Sequence, residues 1–489
     1  MSYVWLQKMN RETVSAIFVI VAVSLFIFSN FLVGFVLPLY LILMLVSFAI
    51  VLAYPRSGMY AIVFLTFVFE RFFTLAPIVL SRSELKLYPL DVIFLAVILG
   101  IVVNYLKNTH SIRTLTPTLS QGERGIRAVD WFLIVFIFLV SIYFLSSFFD
   151  PNSDKDLAFS AWKNYGFYAL LYFAVIILLN KKEHLVRFLK FALAGAIGII
   201  FFIIYGIISG NGLWSEFTPL STEGVRLLAF PHAFYLTMSV LTLGVFLVFS
   251  PVKKYRKYSW LLPIWIFGII GSMMRHLWIG LALSAFVAIV FLPKEKRLFL
   301  KSYVGKIIFG AMAVIVLVFY LSAIIPNSKI EQGIDYSVEV LGERTASFSS
   351  FSEDESFFWR GMLWLEAGEK IKENPLVGIG LGKRLSLELG DYQDLVEVRN
   401  VHNSLLAILL QGGLILFLPL VGFVFLVLRD LIGRKERGWI SIALIALAVN
   451  YLVVFLFQPY LETNLLGIFF WIIFGLARVS KNVLSKYNS

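Results

Sequence analysis

The residues best suited to chemistry in this sequence are one histidine and a few arginines. His402 and Asn403 stand in Val401-His402-Asn403-Ser404-Leu405-Leu406, where a long polar stretch gives way to an apolar run, with Gln411-Gly412-Gly413 following. An imidazole titrates close to neutrality, and at a helix N-terminus the dipole favours its neutral, proton-accepting form. The same pair also reads as a plain helix cap. Arg226 (in Gly224-Val-Arg-Leu-Leu-Ala-Phe-Pro231), Arg275 (in Ile270-Gly-Ser-Met-Met-Arg-His-Leu-Trp-Ile-Gly280), Arg344 and Arg360 supply guanidinium groups between apolar runs. Such groups stay charged and grip phosphate through a planar fork, so several converging on one cavity suit a diphosphate; singly, each reads as a salt bridge or headgroup anchor. Glu70-Arg71 falls in the middle of an apolar run, where an ionisable pair is either functional or mutually neutralising.

Other chemistries have little to work with. The chain has no cysteine, and its five histidines (His110, His184, His232, His276, His402) are scattered without i, i+4 pairing or a carboxylate cluster, which argues against a metal site. Gly378-Ile-Gly-Leu-Gly382 has neither the spacing nor the strand-turn-helix context of a dinucleotide fingerprint and reads as a turn after the Asn374-Pro375 helix stop. No cofactor is expected.

The elements that must hold these residues are membrane helices. Of 489 residues 60% are hydrophobic and 15% charged, against about 25% charged in soluble chains. Crossing the bilayer takes about 20 apolar residues. Runs near 14–29, 31–53, 58–80, 89–106, 130–149, 158–179, 185–208, 229–250, 259–273, 276–292, 303–325, 404–428, 439–457 and 463–479 predict an all-α polytopic transmembrane bundle of 12–14 helices. The count depends on whether Ser29-Asn30 and Met274-Arg275 break their runs. With the N-terminus inside, 27 of the 42 Lys and Arg fall in cytoplasmic segments, placing both termini in the cytoplasm of a multi-pass inner-membrane protein. The net charge of +12 is then a topology signal, and nucleic acid is not an expected partner; membrane lipid is.

The organisation expected is a bundle over 1–325, a long external loop over 326–403 and C-terminal helices over 404–489. Residues 326–401 carry 8 Lys+Arg against 14 Asp+Glu, and long connections of this kind usually hold function. Ser356 to Glu373 has helical spacing, with Phe357, Met362 and Leu365, and in some registers Phe358 and Leu363, on the apolar side of an amphipathic helix over the bundle's mouth.

Taken in order, Arg360 to Trp364, Asn374-Pro375 to Gly382, and His402-Asn403 with Gly413 resemble the O-antigen ligase and O-antigen polymerase superfamily, whose hallmark is a long external loop ending in a His-Asn motif that enters a helix. Glu70-Arg71, Arg226 and Ser272 to Arg275 resemble recurring patterns of the same family. The chain departs from it at His276-Leu277-Trp278 and at Leu416, where small residues are usual. The resemblance implies a metal-independent, inverting glycosyltransferase. Its donor would be a glycan carried on undecaprenyl diphosphate, and its acceptor a hydroxyl of a glycan or glycolipid such as a lipid A core or a lipid-linked repeat. His402 would be the general base, Arg226, Arg275 and Arg360 would hold the diphosphate, and Asn403, Glu70 and Arg71 would support them. A transporter or lipid-linked glycan flippase is the alternative that the helix count admits.

Overall fold

The computed structural model describes residues 10–75, 78–80, 85–109, 128–209, 227–250, 253–297, scattered positions between 305 and 320, 355–389, 392–434, 437–463 and 465–484. In chain order the helices are α1 (Arg11–Val33), α2 (Leu37–Ala53), α3 (Pro55–Leu75), α4 (Pro89–Thr109), α5 (Ala128–Ser147), α6 (Lys155–Trp162), α7 (Leu170–Leu178), α8 (Lys182–Ser209), α9 (Phe230–Phe249), α10 (Leu261–Gly271), α11 (Arg275–Phe291), α12 (Glu355–Glu373), α13 (Ser404–Ile432), α14 (Trp439–Val454) and α15 (Gly467–Leu484). A π-helical turn, Lys163–Phe167, joins α6 to α7.

Among the described residues seven helical segments are long and apolar enough to cross a membrane: in α1, α4, α5, the α6–α7 unit, α8, α9 and α13. Shorter apolar stretches lie in α2, α3, α11, α14 and α15. The protein is a polytopic, multi-pass membrane helix bundle. Helix α5 shows what that means for a side chain: only 17% of its apolar window is buried, and Trp131, Phe138 and Leu145 project outward. In water such a belt would be a large exposed patch; against hydrocarbon it is the expected surface. The core lies between α3 and α8, α11 and α14, α13 and α5, and α15 and α7, with Trp265, Trp471, Tyr235 and Tyr451 fully enclosed.

Several expected boundaries move. Ser29 and Asn30 remain inside α1; the break comes at Gly34, whose φ of 81° ends the helix, with Pro38 in the first turn of the next. Arg275 does not separate two helices but starts α11, and the break falls at Ser272 to Met274, with Met273 at φ 55°. Glu70 and Arg71 lie in the last turns of α3 rather than mid-span, because that helix ends at Leu75 and the chain turns into a short hairpin, β1 (Ile78–Leu80) with β2 (Leu85–Leu87). The predicted span at 303–325 and the beginning of the long loop lie mostly outside the described residues.

The long loop is more ordered than a lone amphipathic helix. Helix α12 is present as expected, but the stripe it packs inward is the buried Leu363 and Ala367 flanked by the half-buried Trp359 and Ile371, spaced by four, while Leu365 is 72% exposed. The bulky tryptophan, rather than Met362 or Leu365, sets the face. It packs against an unforeseen hairpin, β3 (Arg384–Leu389) paired antiparallel with β4 (Tyr392–Glu397), Arg384 opposite Glu397. Leu385, Leu387, Val396, Val401 and Leu410 join Leu363 in a small second core, separate from that of the bundle. This core carries the start of α13.

Candidate active site

His402 immediately precedes the N-cap of α13. The cap itself is Asn403, whose side chain accepts from the Leu406 N–H at 3.0 Å, so half of the capping alternative is correct. His402 is held at φ 56°, left-handed backbone that costs a non-glycine residue about 1–3 kcal/mol and persists only where surroundings enforce it. Those surroundings are identifiable. Trp364 Nε1 donates to the Val401 carbonyl at 2.8 Å, and Ser404 N donates to the Phe455 carbonyl at 2.9 Å, pinning the turn on both sides. The imidazole edge meets the Trp359 ring at 5.7 Å, and Nδ1 lies 2.8 Å from Gln458 Oε1. A carboxamide oxygen only accepts, so Nδ1 carries the hydrogen and Nε2 is left with its lone pair.

Burial, then the positive charge of Arg360, push the His402 imidazole down to about 4, against the opposing pull of the Gln458 hydrogen bond. The ring is therefore neutral at physiological pH. The causes are desolvation and a neighbouring guanidinium.

The second polar layer lies behind this turn. Ser404 Oγ donates to Glu462 Oε2 at 2.5 Å, Tyr165 OH donates to Glu462 Oε1 at 2.5 Å, and Asn164 Nδ2 donates to the Glu462 carbonyl at 2.8 Å. Gln411 Nε2 reaches Tyr165 OH at 3.2 Å. Glu462 is buried, and burial raises its carboxyl to about 7 despite the hydroxyl hydrogen bonds. A small cavity beside it, walled by Asn164, Lys383, Glu397 and Gln411 among others, leaves about 20 Å³ for the centre of a water molecule, room for water but not for a sugar.

Of the residues expected from sequence, His402, Asn403 and Arg360 are brought together. Arg275 opens α11 beside His276, whose Nε2 lies 3.0 Å from Tyr460 OH on the 455–466 loop that also supplies Gln458. The backbones of Glu70 and Arg71 are in α3, but their side chains, like all of Arg226 and Arg344, lie outside the described residues. Gln458, Glu462, Asn164 and Tyr165 escaped sequence reasoning. The polar triplet Lys163-Asn164-Tyr165 inside an apolar run was a usable signal. Gln458 and Glu462 had none, being joined to His402 only by folding.

The glycine run also has a structural role. Gly378, Gly380 and Gly382 all have positive φ, and Gly413 (φ 55°) breaks α13. Residues 375–380 enter that break: Ile379 N and Gly380 N donate to Leu410 and Gln411 carbonyls at 2.9 Å, while Leu414 N and Ile415 N donate to Pro375 and Leu376 carbonyls at 3.0 and 3.1 Å. A Cβ on Gly413 would meet the Leu376 carbonyl oxygen at 2.3 Å. Irregular backbone inside a membrane protein must be satisfied in this way.

Residues 260–421 match the O-antigen ligase family model. The chain carries an O-antigen ligase domain. The matched stretch runs from α10 through the long loop and past the break in α13, and so includes Arg275, Arg360, His402 and Asn403 of the ligase domain, while Asn164, Tyr165, Gln458 and Glu462 come from outside it. No curated protein matches the chain significantly. With the apolar helices, the ligase domain places the protein among multi-pass membrane proteins of cell-surface polysaccharide biosynthesis.

Proposed function

We propose that the protein is a glycosyltransferase of the bacterial inner membrane, acting at its outer face, that moves a glycan from an undecaprenyl-diphosphate carrier to an acceptor hydroxyl. The observation that carries this reading is the neutral imidazole of His402, tied through Nδ1 to Gln458 and set beside Arg360 inside an O-antigen ligase domain. Nε2 takes the proton of the acceptor hydroxyl as its oxygen attacks the anomeric carbon. The bond to the diphosphate breaks on the opposite face, which inverts the configuration. The diphosphate leaves with its charge against guanidinium groups, Arg360 and Arg275 and, as the family resemblance implies, Arg226; charge of this kind is worth most where water is excluded. Diphosphate bound there would offset the Arg360 charge and make His402 more basic in the complex that needs a base.

His402→Ala should lower transfer by roughly 10²- to 10⁴-fold while the protein still inserts, measured as glycan attachment in cells lacking the wild-type gene. Undiminished transfer would remove the assignment. Arg360→Gln should raise the imidazole from about 4, because one cause of the depression goes while burial remains. The glycan profile of the deletion separates the acceptors: full-length lipid-linked polymer left unattached indicates ligation, and accumulated single repeats indicate polymerisation. A transporter or flippase would instead move lipid-linked glycan across vesicles of the purified protein with no bond made or broken.

A further inference from the structure

We propose that Glu462 is a positioning residue of this site, the carboxylate that sets the His402 turn by holding Ser404 on one oxygen and Tyr165 on the other. The proposal rests on the reading of His402 as the base. Its support is the direction of the hydrogen bonds. Ser404 Oγ already accepts from Leu461 N at 3.2 Å, and Tyr165 OH already accepts from Gln411 Nε2 at 3.2 Å, so both hydroxyl protons are free to point at Glu462. Two O–H donors converging on the two oxygens of one carboxyl describe its ionised form. If Glu462 takes a proton, the oxygen that carries it becomes a donor and a weaker acceptor, which loosens the hold on either the first residue of α13, two after His402, or the π turn.

That π turn is the second observation. An extra residue per turn at Lys163–Phe167 lets consecutive side chains face inward, and π turns gather at functional sites. Here Asn164 holds the Glu462 backbone and Tyr165 holds its side chain. The 455–466 loop thus grips the turn twice, by Gln458 on the His402 ring and by Glu462 on Ser404. The titratable and charged groups around Glu462 are Tyr165 from the π turn, Tyr451 from α14, and Lys383 and Glu397 across the cavity, Lys383 being paired with Asp150. From α13 come the neutral Ser404 and Gln411, and from α15 the Trp471 indole bonded to the Asn164 carbonyl.

The test uses full-length protein labelled with ¹³C,¹⁵N-histidine in lipid nanodiscs, where five histidines give few signals and His402→Gln assigns the one of interest. In the wild type the His402 signal should shift with an inflection at about 7, the value for Glu462, while the ring stays neutral down to about 4. Glu462→Gln and Ser404→Ala should abolish that inflection. With undecaprenyl-diphosphate-linked glycan as donor, Glu462→Gln should lower kcat about 10-fold or more with KM little changed, and Glu462→Asp should recover part of it. Absence of the inflection in the wild type overturns the proposal whatever the variants do, as does an unchanged His402 signal with unchanged kcat in Glu462→Gln. The spectra need no glycan, so coupling seen together with an active His402→Ala would discard the catalytic reading and keep the positioning one.

Discussion

Two buried carboxylates lie on either side of one π turn, and they are stabilised by opposite means. Asp91 takes a cation: Lys163 Nζ lies 2.9 Å away, with Tyr168 OH at 2.5 Å and the Tyr88 N–H at 2.8 Å completing its partners. Glu462, reached by the next two residues of the same turn, is held by neutral hydroxyls. The carboxyl held by hydroxyls alone, raised to about 7 by burial, changes its protonation within the ordinary pH range. The first arrangement fixes the helix ends and the second can register pH. The lesson is that the surroundings of a buried acid, more than its burial, separate a structural carboxylate from a responsive one.

The largest expected effect tests the paired side. Lys163→Met leaves Asp91 buried without its cation and should destabilise the protein by about 3–5 kcal/mol, read as a lower melting temperature in detergent. A melting temperature unchanged by that substitution would break the comparison. The next effect has the opposite sign. Folded Glu462 keeps its proton up to about 7 while the unfolded chain releases it near 4.5, so wild-type stability falls as pH rises through that interval, by something on the order of 3 kcal/mol. Glu462→Gln escapes this loss. Its melting temperature relative to wild type should climb between those two pH values and level off above them, even though a carboxamide satisfies the two hydroxyls less well. The smallest effect sharpens the contrast. Tyr165→Phe removes one of the hydrogen bonds that restrain the Glu462 carboxyl, and the inflection at His402 should move above about 7. Tyr168→Phe, acting on Asp91, should leave that inflection where it is.

The spans were readable because a continuous apolar run of helical length has few other fates in a chain this poor in charge. The hairpin was readable too, though unread: Arg384-Leu-Ser-Leu-Glu-Leu389 alternates with period two, and its leucines at 385 and 387 are buried. His402 and Asn403 were legible because they share a local motif at a change of composition. Glu462 was not, since sixty residues and two helices separate it from His402 and only the docking of the 455–466 loop joins them. The face of α12 was legible in part: Leu363 is buried on it as expected, Leu365 is exposed, the side chains of Phe357 and Phe358 lie outside the described residues, and Trp359, which carries the stripe to the site, is the residue the leucine and methionine pattern passes over.

The glycine-lined splice between residues 375–380 and the broken helix α13 constrains how anything reaches the site. Backbone that completes the hydrogen bonding of a membrane helix is part of that helix, and withdrawing it would leave at least four amide and carbonyl pairs bare. This stretch of backbone is consequently stationary, and on the proposed reading a lipid-borne sugar has to reach His402 without displacing it.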